Sequence, residues 1–295
     1  MKRCLIWGSG DFFRRYINVL RYWELRGEIE IIGITSKQQV FDEYLGYCYY
    51  DIESVIHLNF DYIIIAADSK ASNSIEKDAI SIGIKQNRIL RINPFLLPDF
   101  SFDEYLKLLN HVPTIFADNC WGGITSSRLG FEFKSPLVNM YVKNNYYIKF
   151  LENPHKYIET PIEFKKMKYA PLVNKYYPLC VCDDIELRFN HYENFKEAND
   201  AWEKRKKRIN WDNLFVVMIT EDIEMATRFC MLPYEKKICF VPFETSAPEL
   251  FYVDFYKYYN GPFWQAVVEM AQGKSYYYSL IDILNGKITK ISKSR

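Results

Sequence analysis

The strongest constraint on the fold of this chain lies near its start. Residues 3–7 form a short apolar run that ends in Gly8-Ser9-Gly10. From Asp11 to Leu25, apolar residues recur at spacings of three and four, which predicts an amphipathic helix. A strand that leads through a glycine turn into a helix is typical of a parallel α/β unit, because the helix carries the chain back across the sheet.

The pattern that follows extends this unit. Residues 62–67 are apolar without a break, as in a parallel strand that is covered on both faces. Further strands and a helix are predicted at residues 29–34, 72–83 and 88–92. The pattern predicts a short Rossmann-like domain of the nucleotide-binding type over residues 1–98, and a connecting helix over 99–112.

A second α/β domain is predicted over residues 113–295, since the chain is about two ordinary domains long. Its predicted strands lie at residues 114–117, 184–192, 214–219 and 237–241. Its predicted helices lie at residues 194–208, 262–272 and 276–284. The expected fold class is therefore α/β, with a short Rossmann-like parallel sheet domain followed by a second α/β domain.

Charge, apolar runs and cysteine spacing bear on the partners and the location of the protein. The net charge is +1, so no nucleic acid partner is expected. No apolar run reaches the ~18 residues of a transmembrane segment, and the first run meets Gly8 too early for a signal peptide. A cytoplasmic location with reduced thiols is therefore expected for the seven scattered cysteines. Cys180 and Cys182 are separated by only one residue and have no second cysteine pair, which argues against a zinc site.

The glycine turn is the first candidate binding site. Gly8 permits a tight bend, and Gly10 lets a phosphate approach the backbone at the start of a helix. Together with Ser9 and Lys37, these residues are predicted to bind a nucleotide or a nucleotide sugar.

Two details of the same turn depart from the usual dinucleotide site. The third glycine position holds the bulky Phe13, and the second strand ends in Thr35-Ser36-Lys37 without an acidic residue for the ribose. Nicotinamide binding is therefore disfavoured, and a purely structural turn remains an alternative.

The loop after the first strand of the second domain carries a candidate nucleophile. It runs Asp118-Asn119-Cys120-Trp121-Gly122-Gly123, at the strand end where α/β sheets place ligands. Asn119, Gly122 and Gly123 are predicted to bind substrate or phosphate through free polar groups. Cys120 is a candidate nucleophile with His191 as its base, and the alternative is a small buried thiol.

A pair of carboxylates forms a second catalytic candidate. Asp184 and Glu186 alternate along one predicted strand face, which places them about 7 Å apart. With His191 they are candidate acid/base groups or ligands of a divalent cation. The alternative is that they are solvated residues paired with cations across the sheet.

A cationic helix end supplies the third candidate. Arg205 and Arg208 are three residues apart and are predicted to clamp a phosphate, since arginine binds phosphate in a bidentate manner. Asn210 and Asp212 add polar groups in the loop that follows. The alternative is a solvated charge cluster that opposes the helix dipole.

The second region resembles a known family. The segments Asp118 to Gly123, Asp184 to Tyr192 and Trp202 to Phe215 look like bacterial proteins labelled exopolysaccharide biosynthesis proteins. The resemblance covers about residues 113–245, and it implies a role near cell-surface polysaccharide synthesis without an established reaction. The first domain separately resembles the small Rossmann-like domains found ahead of enzymes that modify sugar nucleotides.

Two functions from different classes follow. One is a transferase in cell-surface polysaccharide biosynthesis that acts on a sugar nucleotide or a phosphorylated glycan precursor. The other is a non-enzymatic binding or regulatory module of polysaccharide assembly. A nicotinamide oxidoreductase and a hydrolase that uses Cys120 are further hypotheses, and the sequence leaves the oligomeric state open.

Overall fold

A computed structural model describes residues 1–37, 42–171, 174–274 and 278–287. The chain divides into two compact units, Met1–Leu106 and Lys107–Arg295. Both are built from parallel sheets and helices, which confirms the predicted α/β class. Within the described ranges, no helix combines the length and the apolar character needed to cross a membrane.

Unit 1 is built around a six-stranded sheet. Its elements are β1 (Lys2–Trp7), α1 (Asp11–Leu25), β2 (Ile29–Thr35), β3 (Glu43–Tyr44), β4 (Tyr47–Tyr50), β5 (Tyr62–Ile65), α2 (Ser69–Ser81) and β6 (Ile89–Arg91). The strand order is β3-β4-β2-β1-β5-β6. All neighbours are parallel except β3 and β4, which form an antiparallel pair. The sequence pattern predicted every element of the unit except this pair.

The glycine turn lies at the point where the strand order of the sheet reverses. After β1 the chain crosses to β2 on one side, and β5 pairs with β1 on the other side. Gly8 has a φ of +130°, and a Cβ there would lie 2.6 Å from the carbonyl oxygen of Ala66. Its N–H donates to the carbonyl of Thr35 at 2.9 Å. Glycine is therefore required at this position by backbone geometry alone.

Aromatic packing joins α1 to the segment after β6. The indole Nε1 of Trp23 donates to the carbonyl of Phe95 at 2.6 Å. The Trp23 ring meets Phe100 edge-on, with centroids 5.5 Å apart. Phe13, at the position of the missing third glycine, is fully buried and packs near Tyr44. Each such buried aromatic ring contributes about 1.5–3 kcal/mol through its removal from water.

The helix α3 (Phe102–Asn110) leads into unit 2. Unit 2 contains β7 (Thr114–Ala117), α4 (Trp121–Arg128), α5 (Asn144–Glu152), α6 (Pro154–Glu159), β8 (Glu163–Ala170), β9 (Lys175–Cys182), β10 (Ile185–Arg188), α7 (Phe195–Lys206), β11 (Leu214–Ile219), α8 (Ile223–Cys230), β12 (Lys237–Val241), β13 (Leu250–Tyr252), α9 (Phe263–Ala271) and α10 (Leu280–Leu284). The strands form a parallel sheet in the order β13-β12-β11-β7 and an antiparallel sheet in the order β10-β9-β8.

A short backbone segment joins the two sheets of unit 2. Tyr141 and Arg188 exchange backbone hydrogen bonds of 2.8 and 3.0 Å, as an antiparallel bridge beside β10. The next residue, Val142, donates its N–H to the carbonyl of Asp118 at 2.8 Å, just beyond β7. The end of β10 is therefore tied to the end of β7.

The charged helix α7 packs through few residues. Ala198 and Trp202 are four positions apart and are almost completely buried in the core of unit 2. The Asn194 side chain caps the helix by accepting from the N–H of Glu197 at 2.9 Å. One apolar stripe is enough to bind a helix to a core. Four charged residues of α7 are exposed: Lys196, Glu197, Asp200 and Lys204.

Some predicted boundaries change in the structure. The predicted strand at 184–192 is shorter, because β10 begins at Ile185 and ends at Arg188 before a turn. The predicted helix at 276–284 begins at Leu280, and its residues 276 and 277 lie outside the described residues. The stretch from 131 to 182, for which the pattern gave no element, contains two helices and a β-hairpin.

A pair of alanine substitutions tests the glycine turn. Gly8→Ala places a Cβ against the Ala66 carbonyl at a positive φ, so we expect a loss of about 2–4 kcal/mol in the free energy of unfolding. Gly10→Ala is the matched control, because no atom of the described residues lies within 4 Å of its Cβ. Chemical denaturation of the full chain measures the free energy of unfolding of both variants. Equal losses in the two variants would contradict the requirement for glycine at position 8.

Candidate functional site

The carboxyl edge of the parallel sheet in unit 2 carries the candidate site. Asp118, Asn119 and Cys120 follow β7 directly, and α4 begins at the next residue, Trp121. The Asn119 side chain accepts from the backbone N–H of Trp121 at 2.9 Å, which fixes the start of the helix. Since β7 and β11 are parallel, Asp222 after β11 lies at the same edge and caps α8.

The structure brings Cys120 and His191 together. The Sγ atom of Cys120 lies 3.1 Å from Nε2 of His191, although 71 positions separate them in the sequence. His191 reaches this position because β10 ends at Arg188, and the residue lies in the turn that follows. The distance is that of a hydrogen bond between a thiol and an imidazole, in either direction of donation.

The surroundings favour the neutral form of both groups. Burial, with a smaller contribution from Asp118, raises the pKa of the Cys120 thiol to about 11. Burial and the positive charge of Lys175 lower the pKa of His191. The resting pair at neutral pH is therefore a thiol and a neutral imidazole, in which Nε2 is able to accept the thiol proton.

A buried carboxyl group that sequence reasoning did not select lies beside this pair. Asp118 is 2% exposed, and its Oδ1 has no hydrogen-bond partner in the described part of the chain. Burial raises the pKa of Asp118 well above its ordinary value. Its position at the end of a buried strand was the available signal, since ligands gather at that edge.

The two glycines of the loop have a packing role in the structure. A Cβ on Gly122 would lie 3.1 Å from Cγ2 of Ile115, and a Cβ on Gly123 would lie 2.9 Å from Cγ1 of Val138. Both glycines lie buried in the first turn of α4, where they let the helix approach its neighbours closely.

The two candidate carboxylates have cationic partners of their own. Asp184 lies in the turn before β10 and accepts hydrogen bonds from Lys149 and Tyr157, both at 2.8 Å. Glu186 lies on β10 and pairs with Lys165 at 2.8 Å. These contacts lower the pKa of each carboxyl group. Strict alternation predicted that Asp184 and Glu186 share one strand face. This prediction is wrong for Asp184, because β10 begins one residue later, at Ile185.

The described ranges contain no metal centre built from protein side chains. No three His, Cys, Asp or Glu side chains in those ranges lie close enough together to hold an ion. The paired carboxylates Asp184 and Glu186 are each bound to a lysine instead.

Two arginines bind backbone carbonyls: Arg205 in the last turn of α7, and Arg208 two residues beyond its end. Arg205 donates to the carbonyl of Val138 at 3.1 Å, and it also contacts the hydroxyl of Tyr192. Arg208 donates to the carbonyl of Phe133 at 3.2 Å and pairs with Glu132 at 2.9 Å. Both guanidinium groups therefore attach α7 to the loop after α4.

The polar loop before β11 lies at the other edge of the sheet. Asn210 and Asp212 precede the first residue of β11, whereas Cys120 follows the last residue of β7. Because β7 and β11 are parallel, a strand length of about 20 Å separates the two edges. The Asn210 side chain accepts from the Asp212 N–H at 3.2 Å, and these residues do not lie with the Cys120–His191 pair.

The glycine turn of unit 1 is a separate candidate. The hydroxyl oxygens of Ser9 and Tyr49 lie 3.1 Å apart. Gly10 is exposed and precedes the first residue of α1. The ammonium group of Lys37, predicted to meet a phosphate, pairs with Asp78 on α2 at 2.9 Å.

A cleft in unit 2 lies beside Asp184 and Glu186, since its lining includes Asp183 and Val181, the strand partner of Glu186. Its volume is about 460 Å³, and it is lined by Lys156, Thr160, Pro161, Glu163, Val181 and Asp183. None of the residues predicted from the sequence to form the site lines this cleft.

Comparisons with known proteins give the family but no activity. The family model described as C2185-like, N-terminal, matches residues 1–90. An uncharacterized protein of Haemophilus influenzae is 34% identical over 140 residues, and the match covers 45% of this chain and 64% of that protein. The chain thus matches less than two thirds of this relative's length. A further family model, described as domain of unknown function DUF1919, matches residues 92–285, more than half of the chain. The chain therefore belongs to the DUF1919 family.

Proposed function

We propose that the chain is a group-transfer enzyme in which Cys120 is the nucleophile and His191 is its general base. The observation that carries this proposal is the 3.1 Å contact between Cys120 Sγ and His191 Nε2 at the carboxyl edge of a parallel sheet. Ligands of open α/β sheets bind at this edge. A nucleophile within hydrogen-bond reach of a neutral base is the arrangement that covalent catalysis needs.

The reaction has two halves. In the first, Sγ bonds to the transferred group while the bond between that group and its phosphate leaving group breaks. The leaving group takes the bonding electron pair, and the thiol proton passes to Nε2 of His191. His191 then passes this proton to the departing phosphate and is neutral again. In the second half, His191 takes the proton of an acceptor hydroxyl as that oxygen bonds to the group. The bond to sulfur breaks with its electron pair going to sulfur, and His191 protonates the thiolate to restore the thiol.

The substrate class follows from the sequence resemblance. We propose a sugar nucleotide or a phosphorylated glycan precursor, and a role in cell-surface polysaccharide biosynthesis. Asn119 fixes the loop that presents Cys120, and a divalent cation would enter with the substrate's phosphates. All seven cysteines are free, four of them buried, which supports the proposed cytoplasmic location.

Trapping of a covalent adduct tests this function. The full chain is incubated with a panel of nucleotide sugars and phosphorylated glycan precursors, with and without Mg²⁺ or Mn²⁺, and quenched in acid. We expect intact-mass spectrometry to show an adduct on Cys120 with at least one donor. His191→Gln removes the base and is expected to slow adduct formation by about 10²–10⁴-fold.

Two cysteine variants complete the experiment. Cys120→Ala abolishes the adduct, whereas Cys230→Ala is the matched control, because Cys230 is also a partly exposed thiol with a raised pKa. An adduct that persists in Cys120→Ala would contradict the proposal. So would the absence of an adduct with every donor in the panel.

The free thiol has a characteristic pH dependence. With a pKa of about 11, roughly one Cys120 in ten thousand is a thiolate at pH 7, so alkylation by iodoacetamide is expected to be slow. The rate should rise about tenfold for each pH unit up to about pH 11. The exposed Cys48 is the internal reference. Rapid alkylation of Cys120 at pH 7 would instead indicate a resting thiolate and imidazolium pair.

A binding module without chemistry is the second candidate. The observation that favours it is that the raised pKa of Cys120 keeps the thiol protonated, as in a structural cysteine. In this case Cys120→Ala and His191→Gln would leave polysaccharide assembly in the native host intact. Loss of assembly in a Cys120→Ala variant that keeps its melting temperature would exclude the binding module.

A further inference from the structure

A group of cations lies on one face of the antiparallel sheet in unit 2. Arg188 on β10 is opposite Leu179 on β9, and Leu179 is opposite Lys166 on β8. Lys168 is opposite Tyr177 two residues along β9. Because side chains alternate along each strand, Lys166, Lys168 and Arg188 share one face of the sheet. We call this group, together with Lys143, the basic face.

The cations of the basic face are close together and are poorly neutralised. The positive charge of Arg188 is the main cause of the lowered pKa of Lys168, followed by burial and then by Lys143. Among the described residues, Lys143, Lys166 and Lys168 form no ion pair. The carboxylate nearby, Glu186, is held by Lys165 at 2.8 Å. Excess positive charge therefore remains on this face.

Arg188 has one donor, its Nε, without a hydrogen-bond partner in the described part of the chain. Its side chain is 12% exposed. Its guanidinium carbon lies 5.6 Å from the centroid of the Tyr141 ring, and its contact with Glu186 is long, at 3.8 Å. A buried, unpartnered guanidinium donor is costly, so an acceptor supplied by a ligand would stabilise it.

The basic face borders the Cys120–His191 pair. The backbone bridge between Tyr141 and Arg188 continues into the hydrogen bond from Val142 to Asp118, two residues before Cys120. His191 follows Arg188 by three residues. Lys175, the first residue of β9, lies close enough to lower the pKa of His191.

We propose that the basic face, with Arg188 and Lys168 at its centre, binds a phosphoryl group of the substrate. A phosphate or pyrophosphate has the charge density and the acceptor oxygens that several adjacent cations and the free Nε of Arg188 require. The identification of this phosphoryl group as part of a transfer substrate rests on the proposed function. Binding of a phosphoryl group to the basic face does not depend on Cys120. Arg205 and Arg208 are not needed for this site, since both bind backbone carbonyls.

Titration with inorganic pyrophosphate and inorganic phosphate tests the site. Isothermal titration of the full chain at low ionic strength is expected to detect pyrophosphate binding. Lys168→Gln is expected to weaken the affinity by about tenfold, and Arg188→Gln by at least as much. Arg188→Lys is expected to recover part of the loss, because it keeps the charge but not the planar fork.

Control variants make the result specific. Lys196→Gln removes an equal charge from an exposed position on α7 and should leave the affinity within about twofold. The melting temperature of each variant reports its folding. Failure of the wild-type chain to bind pyrophosphate, or an equal loss in Lys196→Gln, would overturn the proposal.

One further variant separates the two proposals. Cys120→Ala is expected to keep full pyrophosphate affinity, because no atom of the thiol belongs to the basic face. Binding without a covalent adduct in any donor experiment would remove the group-transfer function and leave the phosphoryl site standing. An adduct on Cys120 without pyrophosphate binding would remove the phosphoryl site and leave the group-transfer function standing.

Discussion

Parallel pairing of β7 with β11 is the constraint on which the geometry of unit 2 depends. The two strands run in the same direction, with β7 at the edge of the sheet and β11 next to it, from Leu214 opposite Thr114 to Val217 opposite Ala117. Because the strands are parallel, their carboxyl ends share one edge of the sheet, and the polar residues that follow both strands lie together there. Asp118 and Thr220 follow their strands at that edge, and Asn210 lies at the other.

The second sheet supplies the base to that edge. The bridge between Tyr141 and Arg188 and the hydrogen bond from Val142 to Asp118 connect β10 to the end of β7. Because β10 stops at Arg188, the chain turns and brings His191 to Cys120. The Cys–His contact thus depends on a few backbone hydrogen bonds outside the regular strands.

Some of this organisation was predictable from the sequence, and the reasons are physical. Predicted and observed bounds agree for β7, β11 and β12, because a strand buried on both faces is a continuous apolar run with polar residues at its ends. The hairpin of β8 and β9 was not predicted. In β8 nearly every residue is exposed, and a bulge between Phe164 and Lys166 breaks the alternation.

The charged residues were harder to interpret for a different reason. Sequence reasoning identified Cys120 with His191 as a pair, and it left open whether Asp184 and Glu186 were catalytic or paired with cations. Their cationic partners in the structure, Lys149 and Lys165, lie 35 and 21 positions away along the chain. Contacts of this kind are set by tertiary packing, so local spacing carries no information about them. The environment of Arg188 was hidden for the same reason.

A histidine titration by NMR tests the central claim most directly. The chain has four histidines, and loss of one imidazole signal in His191→Gln identifies the signal that belongs to His191. The structure predicts that His191 titrates below the ordinary histidine pKa, and that Lys175→Gln moves its pKa upward. A His191 signal that stays protonated through neutral pH, or that does not respond to Cys120→Ala, would contradict a neutral Cys120–His191 pair.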